Sequence, residues 1–150
     1  MKLTTFTDYC LRVLMYAGIH GERRVTIDEI ALRYAISRNH LMKVVFRLGQ
    51  LGYLETVRGK GGGFRLRRDP AEINLGALVR ETEEDMQIVE CFGERSACAI
   101  EPACRLKSTL GKALGAFLAV LDEVTLAELL EPRQDLAKLL SLPKHAERAE

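Results

Sequence analysis

Three of the chain's four cysteines, Cys91, Cys98 and Cys104, lie within 14 residues of one another. Thiolates at such short spacing are typical ligands of zinc ions and iron–sulfur clusters. Glycine, serine and Pro102 interrupt the segment 91–104, so it is expected to form an irregular loop rather than a regular element. Such a loop can turn three sulfur atoms toward one point, and the pattern therefore predicts a metal or iron–sulfur site.

The same three cysteines are also compatible with different chemistry. The segment could hold three unrelated thiols, a structural zinc site completed by Cys10 or a carboxylate, or a thiol switch in which Cys98 and Cys104 form a disulfide. Asp8 and Arg12 fall within the first apolar turns of the chain, which is not the pattern of a secretory signal. We therefore expect a reducing, cytoplasmic location, which favours metal or redox chemistry over a disulfide framework.

The composition predicts one domain with its own core. The chain has 150 residues, of which 47% are hydrophobic and 29% charged, and no apolar run approaches membrane length. Its formal charge of +1 conceals an uneven split: residues 1–70 hold 13 Lys and Arg against 6 Asp and Glu, and residues 71–150 hold 9 against 15. This asymmetry indicates that only the first half meets a polyanion.

The order of elements in residues 1–70 is that of a winged helix-turn-helix. Helical periodicity covers 3–19, a capping box of Thr26 with Glu29 starts a second helix, and Ser37 caps a third helix over 38–51. Two short strands follow, over 53–58 and 63–68, joined by a glycine-rich turn. The fold is predicted to be mainly α, with a small β-hairpin wing and a long dimerisation helix further along the chain.

Double-stranded DNA is the predicted partner of this region. In a helix-turn-helix, the start of the second helix of the motif enters the major groove, and basic residues of a wing suit phosphates or the minor groove. The predicted DNA-binding residues on the helix and the hairpin are Ser37, Arg38, Asn39, His40, Lys43, Arg58, Lys60 and Arg65. A merely solvated helix face and a structural turn are the alternatives.

The second half is expected to regulate the first. We predict a connecting helix in 71–90, the cysteine loop in 91–104, a long helix with a short following helix in 105–131, and a C-terminal tail in 132–150 that is charged and frayed after Pro143. Gly111, Gly115 and Ala119 recur at four-residue spacing on the long helix. Because glycine destabilises a helix, this spacing predicts close approach of another helix, either a two-fold mate or the chain's own first helix.

Four segments carry a resemblance to a known family: Leu3-Thr-Thr-Phe-Thr-Asp-Tyr9, Ser37-Arg-Asn-His-Leu-Met-Lys43, Val57-Arg-Gly-Lys-Gly-Gly-Gly63 and Pro102-Ala-Cys-Arg-Leu-Lys107. Over about residues 1–140 the chain resembles the NsrR/IscR family of winged-helix iron–sulfur regulators, and within it the nitric-oxide-sensing branch. The resemblance implies a homodimeric repressor of a palindromic operator. It also implies an iron–sulfur cluster, 4Fe-4S in preference to 2Fe-2S, set between subunits and responsive to nitric oxide.

The resemblance also bears on the fourth cluster ligand. One branch of the family has a histidine three residues after the third cysteine, where this chain has Lys107. The other branch uses an aspartate from the first helix of the partner subunit, a position that Asp8 matches. Cys10 is the rival ligand, and Arg12 could steady the cluster. A regulator of iron–sulfur supply or redox state, of the same fold, is the alternative function.

An enzyme is not expected. His20, His40 and His145 are scattered along the sequence, and no nucleophile–base arrangement is visible. The segment Gly59-Lys-Gly-Gly-Gly lacks the Gly-Lys-Ser/Thr ending and the following helix of a phosphate-binding loop.

Overall fold

The computed structural model describes residues 2–93 and 96–141. This part of the chain contains seven α-helices and one two-stranded antiparallel sheet, which confirms the mainly helical prediction. In chain order the elements are α1 (Thr5–His20), α2 (Ile27–Tyr34), α3 (Arg38–Gln50), β1 (Leu54–Val57), β2 (Gly63–Leu66), α4 (Leu75–Thr82), α5 (Arg105–Asp122), α6 (Leu126–Leu129) and α7 (Arg133–Ser141).

Side-chain caps begin the three helices of the predicted DNA-binding half. Thr4 accepts a hydrogen bond from the Thr7 amide at the start of α1, and Ser37 accepts one from the His40 amide at the start of α3. Between α2 and α3, Ala35 has a positive φ of 52°, which produces the tight turn. Buried apolar residues of α1 and α3 belong to the same hydrophobic core, and their packing fixes the position of α3.

One capping prediction was wrong in part. Thr26 does accept a hydrogen bond from the Glu29 amide at the start of α2. The Glu29 carboxylate, however, does not return a bond to Thr26, because it accepts two hydrogen bonds from the Arg23 guanidinium instead. The second helix is therefore capped from one side only, and Glu29 ties its first turn to the preceding loop.

The hairpin of β1 and β2, which we call the wing, is fixed to the helical core at its base. Leu54 pairs with Leu66 and Val57 with Gly63, so the strands are shorter than predicted. Phe64, which is buried, exchanges backbone hydrogen bonds with Val25, which precedes α2. The turn 58–62 extends beyond this attachment and carries the exposed side chains of Arg58 and Lys60.

Helix α5 is anchored at its C-terminal end. Arg80 of α4 donates two hydrogen bonds to the Asp122 carboxylate, and the Asn74 side chain donates to the Asp122 carbonyl at 2.7 Å. A Cβ atom on Gly76 would lie 1.9 Å from the Asp122 carboxylate, so only glycine admits this close approach. The opposite end of α5 continues directly from the cysteine loop.

Part of the segment predicted to be a C-terminal tail, 132–150, is helical in the structure. Residues 133–141 form α7, whose Leu136, Ala137 and Leu140 pack against the core. Arg133 donates a hydrogen bond to the Ile19 carbonyl at 2.7 Å, at the C-terminal end of α1. Proline at 132 ends one helix, as predicted, but it also suits the start of the next. Residues 142–150 of the predicted tail lie outside the described residues.

A buried hydroxyl pair joins α1 to α4. Thr7 is fully buried and donates a hydrogen bond of 3.0 Å to Thr82, which in turn donates to the Leu78 carbonyl. We expect Thr7→Val or Thr82→Val alone to lower the free energy of unfolding by about 1–3 kcal/mol, because each leaves a buried partner without its bond. The double variant should lose less than the sum of the two. Urea denaturation of all four proteins measures this coupling, and strict additivity would contradict it.

Candidate nucleic-acid interface and metal centre

The buried residues of α3 identify which face of the helix is exposed. Leu41, Val44, Val45 and Leu48 are buried in the core. The side chains opposite them recur at spacings of four, three and four residues, and they are Asn39, Lys43, Phe46 and Gln50. Asn39 and Lys43 therefore occupy the centre of the exposed face in the first half of the helix, as predicted for residues that contact base edges.

Two of the predicted DNA-binding residues on α3 lie to the sides of this face. Arg38 forms an ion pair with Asp28 of α2. His40 turns toward α1, where its ring centroid lies 6.1 Å from that of Tyr9. Ser37 is exposed at the N-terminus, where its hydroxyl caps the helix. All three are at the same end of the helix as Asn39.

The basic residues of the wing separate into two groups. Arg58 and Lys60 are exposed on the turn between the strands. Arg65 is bound by two carboxylates, at 2.5 Å from Glu22 and 3.1 Å from Glu55. Arg65 must give up these ion pairs to contact a phosphate. The sequence around the turn contains no acidic residue, so Arg58 and Lys60 have no neighbouring carboxylate in the chain to give up.

The three cysteines of the loop are accessible free thiols. Cys98 is exposed, Cys91 and Cys104 are half-buried, and Cys104 occupies the N-cap position of α5 without a side-chain capping bond. Within the described residues of a single protomer, no three His, Cys, Asp or Glu side chains converge as a metal site. Residues 94 and 95 of the loop are not among them. The donor set suits a soft metal or an iron–sulfur cluster, provided that a fourth ligand comes from elsewhere.

Lys107 lies within the range of electrostatic interaction with two of these thiols, those of Cys91 and Cys104. Its ammonium group forms an ion pair with Glu101, which precedes Cys104 in the loop. The hydrogen bond to Glu101 raises the pKa of Lys107, and the proximity of Cys91 and Cys104 raises it further. A cation at this position suits a site whose thiolates carry negative charge. From the sequence, Lys107 indicated only that a histidine ligand is missing at this position. Its proximity to the thiols could be seen only in the folded loop.

Asp8 and Cys10 differ sharply in accessibility. The Asp8 side chain is 44% exposed and forms an ion pair of 2.8 Å with Arg12, one turn further along α1. The Arg12 guanidinium also lies over the Tyr34 ring at the end of α2, 5.7 Å from its centroid. Cys10 is 0% exposed within the hydrophobic core. Asp8 is therefore available to another molecule, whereas Cys10 is enclosed by its own protomer.

Burial raises the pKa of the Cys10 thiol to about 12. Because thiolates are the reactive form, we expect iodoacetamide at pH 8 to modify three cysteines of folded, metal-free protein and the fourth only after denaturation. The free energy of unfolding should fall above about pH 9, where an unfolded thiol ionises and the buried one does not. Mass spectrometry counts the labels, and modification of all four before unfolding would contradict the buried position.

The glycine face of α5 is open in the protomer. A Cβ atom on Gly115 would meet nothing within 4 Å, and one on Gly111 would reach only the Phe92 ring at 4.0 Å, in the part of the chain that the structure describes. No described residue of α5 is buried, and Leu106 and Val120 are large exposed apolar side chains. The chain's own first helix therefore does not provide the close approach that the glycines predicted.

Comparison with known proteins agrees with this arrangement. Residues 3–132 match the family model Rrf2, iron-dependent transcriptional regulator. The HTH-type transcriptional regulator NsrR of Bacillus subtilis (strain 168) is 53% identical over 95% of this chain and 99% of that protein. NsrR of Geobacillus kaustophilus (strain HTA426) is 51% identical over 93% of this chain and 97% of that protein.

Solved structures show the same fold. IscR of T. potens superposes with a TM-score of 0.71 at 26% identity, over 91% of this chain and 90% of that one. The oxidised form of CymR from Staphylococcus aureus gives a TM-score of 0.70 at 26% identity, over 87% and 97% of the two chains. Among the described residues, no helix has the length and apolar character needed to cross a membrane.

These relatives are regulators rather than enzymes, and the exposed face of α3, the wing and the basic charge of residues 1–70 supply what a DNA-binding regulator requires. The chain belongs to the Rrf2 family of DNA-binding transcriptional regulators.

Proposed function

We propose that this regulator is a homodimeric, cytoplasmic repressor that releases a palindromic operator when an iron–sulfur cluster reacts with nitric oxide. The ligands in this proposal are Cys91, Cys98 and Cys104 of one protomer and Asp8 of the partner subunit, with 4Fe-4S favoured over 2Fe-2S. The contrast between the half-exposed Asp8 and the enclosed Cys10 is the observation that carries the assignment. The relatives named NsrR support the choice of signal.

The open face of α5 supports the homodimer. Gly115 has open space around it and Gly111 has only the Phe92 ring nearby among the described residues, and with two exposed apolar side chains this face fits a second α5 helix packed closely against the first. A two-fold axis at α5 would allow the cysteine loop of one protomer to approach α1 of the other. It would also present two copies of α3 and the wing to two half-sites, which is what a palindromic operator requires.

A carboxylate ligand suits a sensor. The cluster, when bound, supplies iron atoms that react with nitric oxide, and an oxygen ligand leaves its iron more open to a small diatomic molecule than a thiolate does. Arg12 orients Asp8 through their ion pair, and Lys107 places a cation beside Cys91 and Cys104. If Asp8 and the cysteine loop of the partner subunit hold the cluster together, loss of Asp8 as a ligand would free α1 from that loop, and the two DNA-reading units would lose their operator spacing.

The ligand assignment is tested by comparing Asp8→Ala with Cys10→Ala. We expect Asp8→Ala, purified anaerobically, to lose visible absorption or to retain a cluster with altered reactivity toward nitric oxide. Cys10→Ala should keep the wild-type spectrum and cluster content, because its side chain fills space in the core. Absorption and native mass spectrometry measure both, and operator affinity is followed during anaerobic titration with nitric oxide.

Each outcome separates this proposal from its alternatives. Loss of the cluster only in Cys10→Ala would overturn the choice of Asp8. A colourless protein containing zinc would support a structural zinc site instead. Operator affinity that stays unchanged at every stage of the titration would exclude nitric oxide as the signal, and a response to iron supply or oxidants alone would favour the redox-status regulator.

A further inference from the structure

An aromatic side chain stands at the centre of the DNA-facing surface. Phe46 is 63% exposed on α3, two turns after Asn39 and on the same face. It lies in the groove between α3 and the wing, where Thr56 and Arg58 form the opposite wall. Its neighbour Met42 is also exposed, at 54%. Large apolar side chains that remain in water on a functional face are a sign of a binding surface.

The charges on the wing side of Phe46 indicate what covers it. On its other side Phe46 borders a cleft of mixed charge, which is lined by Arg47, Arg80, Glu81, Glu83 and Glu84. Lys43, Arg58 and Arg67 line the same groove. The two carboxylates that line it, Asp28 and Glu55, are each already paired with an arginine. The groove therefore presents an apolar centre within a cationic border. A second copy that met this face through its own copy of the same face would bring the same positive charge, so a two-fold contact here is not what the charges favour.

We propose that Phe46 contacts the C5-methyl group of a thymine in the operator. DNA meets both requirements of the groove, because its phosphates suit the cations and the thymine methyl is the one apolar group that base pairs display in the major groove. Asn39 and Lys43 then provide polar contacts on the same face. The inference rests on the DNA-binding function and adds a specific chemical feature that the protein recognises.

Deoxyuridine substitution tests the contact, because it removes only the methyl group from thymine. A duplex is first selected by the anaerobically purified protein from a random-sequence pool, and each thymine is then replaced in turn. We expect the wild-type protein to lose affinity by about fourfold at one thymine in each half-site, the value for burial of one methyl group. Phe46→Ala should bind the unmodified duplex more weakly and show no further loss at that position.

Two variants serve as controls. Phe46→Leu retains an apolar side chain and should keep part of the discrimination. Leu32→Ala removes a similarly exposed apolar side chain from α2, outside the groove, and should keep all of it. The proposal is overturned if wild-type protein binds every substituted duplex equally, or if Phe46→Ala keeps the full thymine preference. If Phe46→Ala changed the oligomeric state of the protein in solution, the face would be assigned to contact between copies instead. Failure of the wild-type protein to select any duplex would count against DNA binding itself.

Discussion

Replacing Cys98 by serine is expected to give a folded dimer that carries no cluster and no longer responds to nitric oxide. The Cys98 side chain is exposed, so its replacement removes no packing from the core. A serine hydroxyl does not ionise at neutral pH and is a poor ligand for iron, so the site loses one of its three thiolates. Absorption of anaerobically purified protein and its thermal unfolding curve measure the two effects separately.

A neighbouring residue provides the matched control. Ala97→Ser introduces the same hydroxyl into the same loop at another exposed position, and it should retain the cluster and the response. If Cys98→Ser keeps normal regulation of operator binding, every mechanism that depends on this cysteine fails at once, whether cluster, zinc site or disulfide.

Replacing Asn39 by alanine is expected to weaken specific operator binding by about 5- to 150-fold, equivalent to about 1–3 kcal/mol. Asn39 is exposed in the first turn of α3, opposite the buried Leu41 and Val44. Its amide can both donate to and accept from an adenine edge, so alanine should also relax the sequence preference at one base pair of each half-site. Fluorescence anisotropy with single-base variants of the selected duplex measures both effects.

Salt dependence distinguishes base contacts from phosphate contacts. Asn39→Ala should leave the slope of log affinity against log salt unchanged, whereas Lys60→Ala should reduce its magnitude by about 0.9 for each phosphate that the lysine neutralises. Arg65→Ala should change affinity little and stability by less than about 1 kcal/mol, because Arg65 is held by Glu22 and Glu55. A large loss of affinity in Arg65→Ala would show that it exchanges these carboxylates for a phosphate.

The elements of residues 1–70 could be predicted well because their signals are local. Ser37 precedes an apolar pattern of helical period, and the glycines of 59–63 are followed by residues that alternate between faces, so caps and turns can be assigned without tertiary information. The positions of ion pairs could not be predicted in this way. Arg65 and Glu22 are far apart in the sequence, and only the folded wing brings them together.

The regulatory half was less predictable, for two physical reasons. Helix α7 is stabilised by packing of Leu136 and Leu140 against the core and by the bond from Arg133 to α1. Both contacts are made with parts of the chain that are distant in sequence, so a local pattern cannot predict them. The proposed cluster ligands come from two protomers, so the sequence can identify candidate donors but not the place where they would meet. The surroundings of Lys107 and the exposure of Phe46 emerged only from the fold, although the helical period of α3 places Phe46 on its outer face.

In the proposed mechanism helix α1 takes part in both sensing and DNA binding, since it carries Asp8 on its surface and packs against α3 through its buried side. Arg12 extends this link to Tyr34, two residues before the turn ends at Ile36. Because binding free energies are reciprocal, a cluster that raises operator affinity by a given factor must itself be held more tightly by the same factor when the operator is bound. A repressor bound to its operator would then retain its cluster more tightly, and repressor free in solution would lose its cluster first.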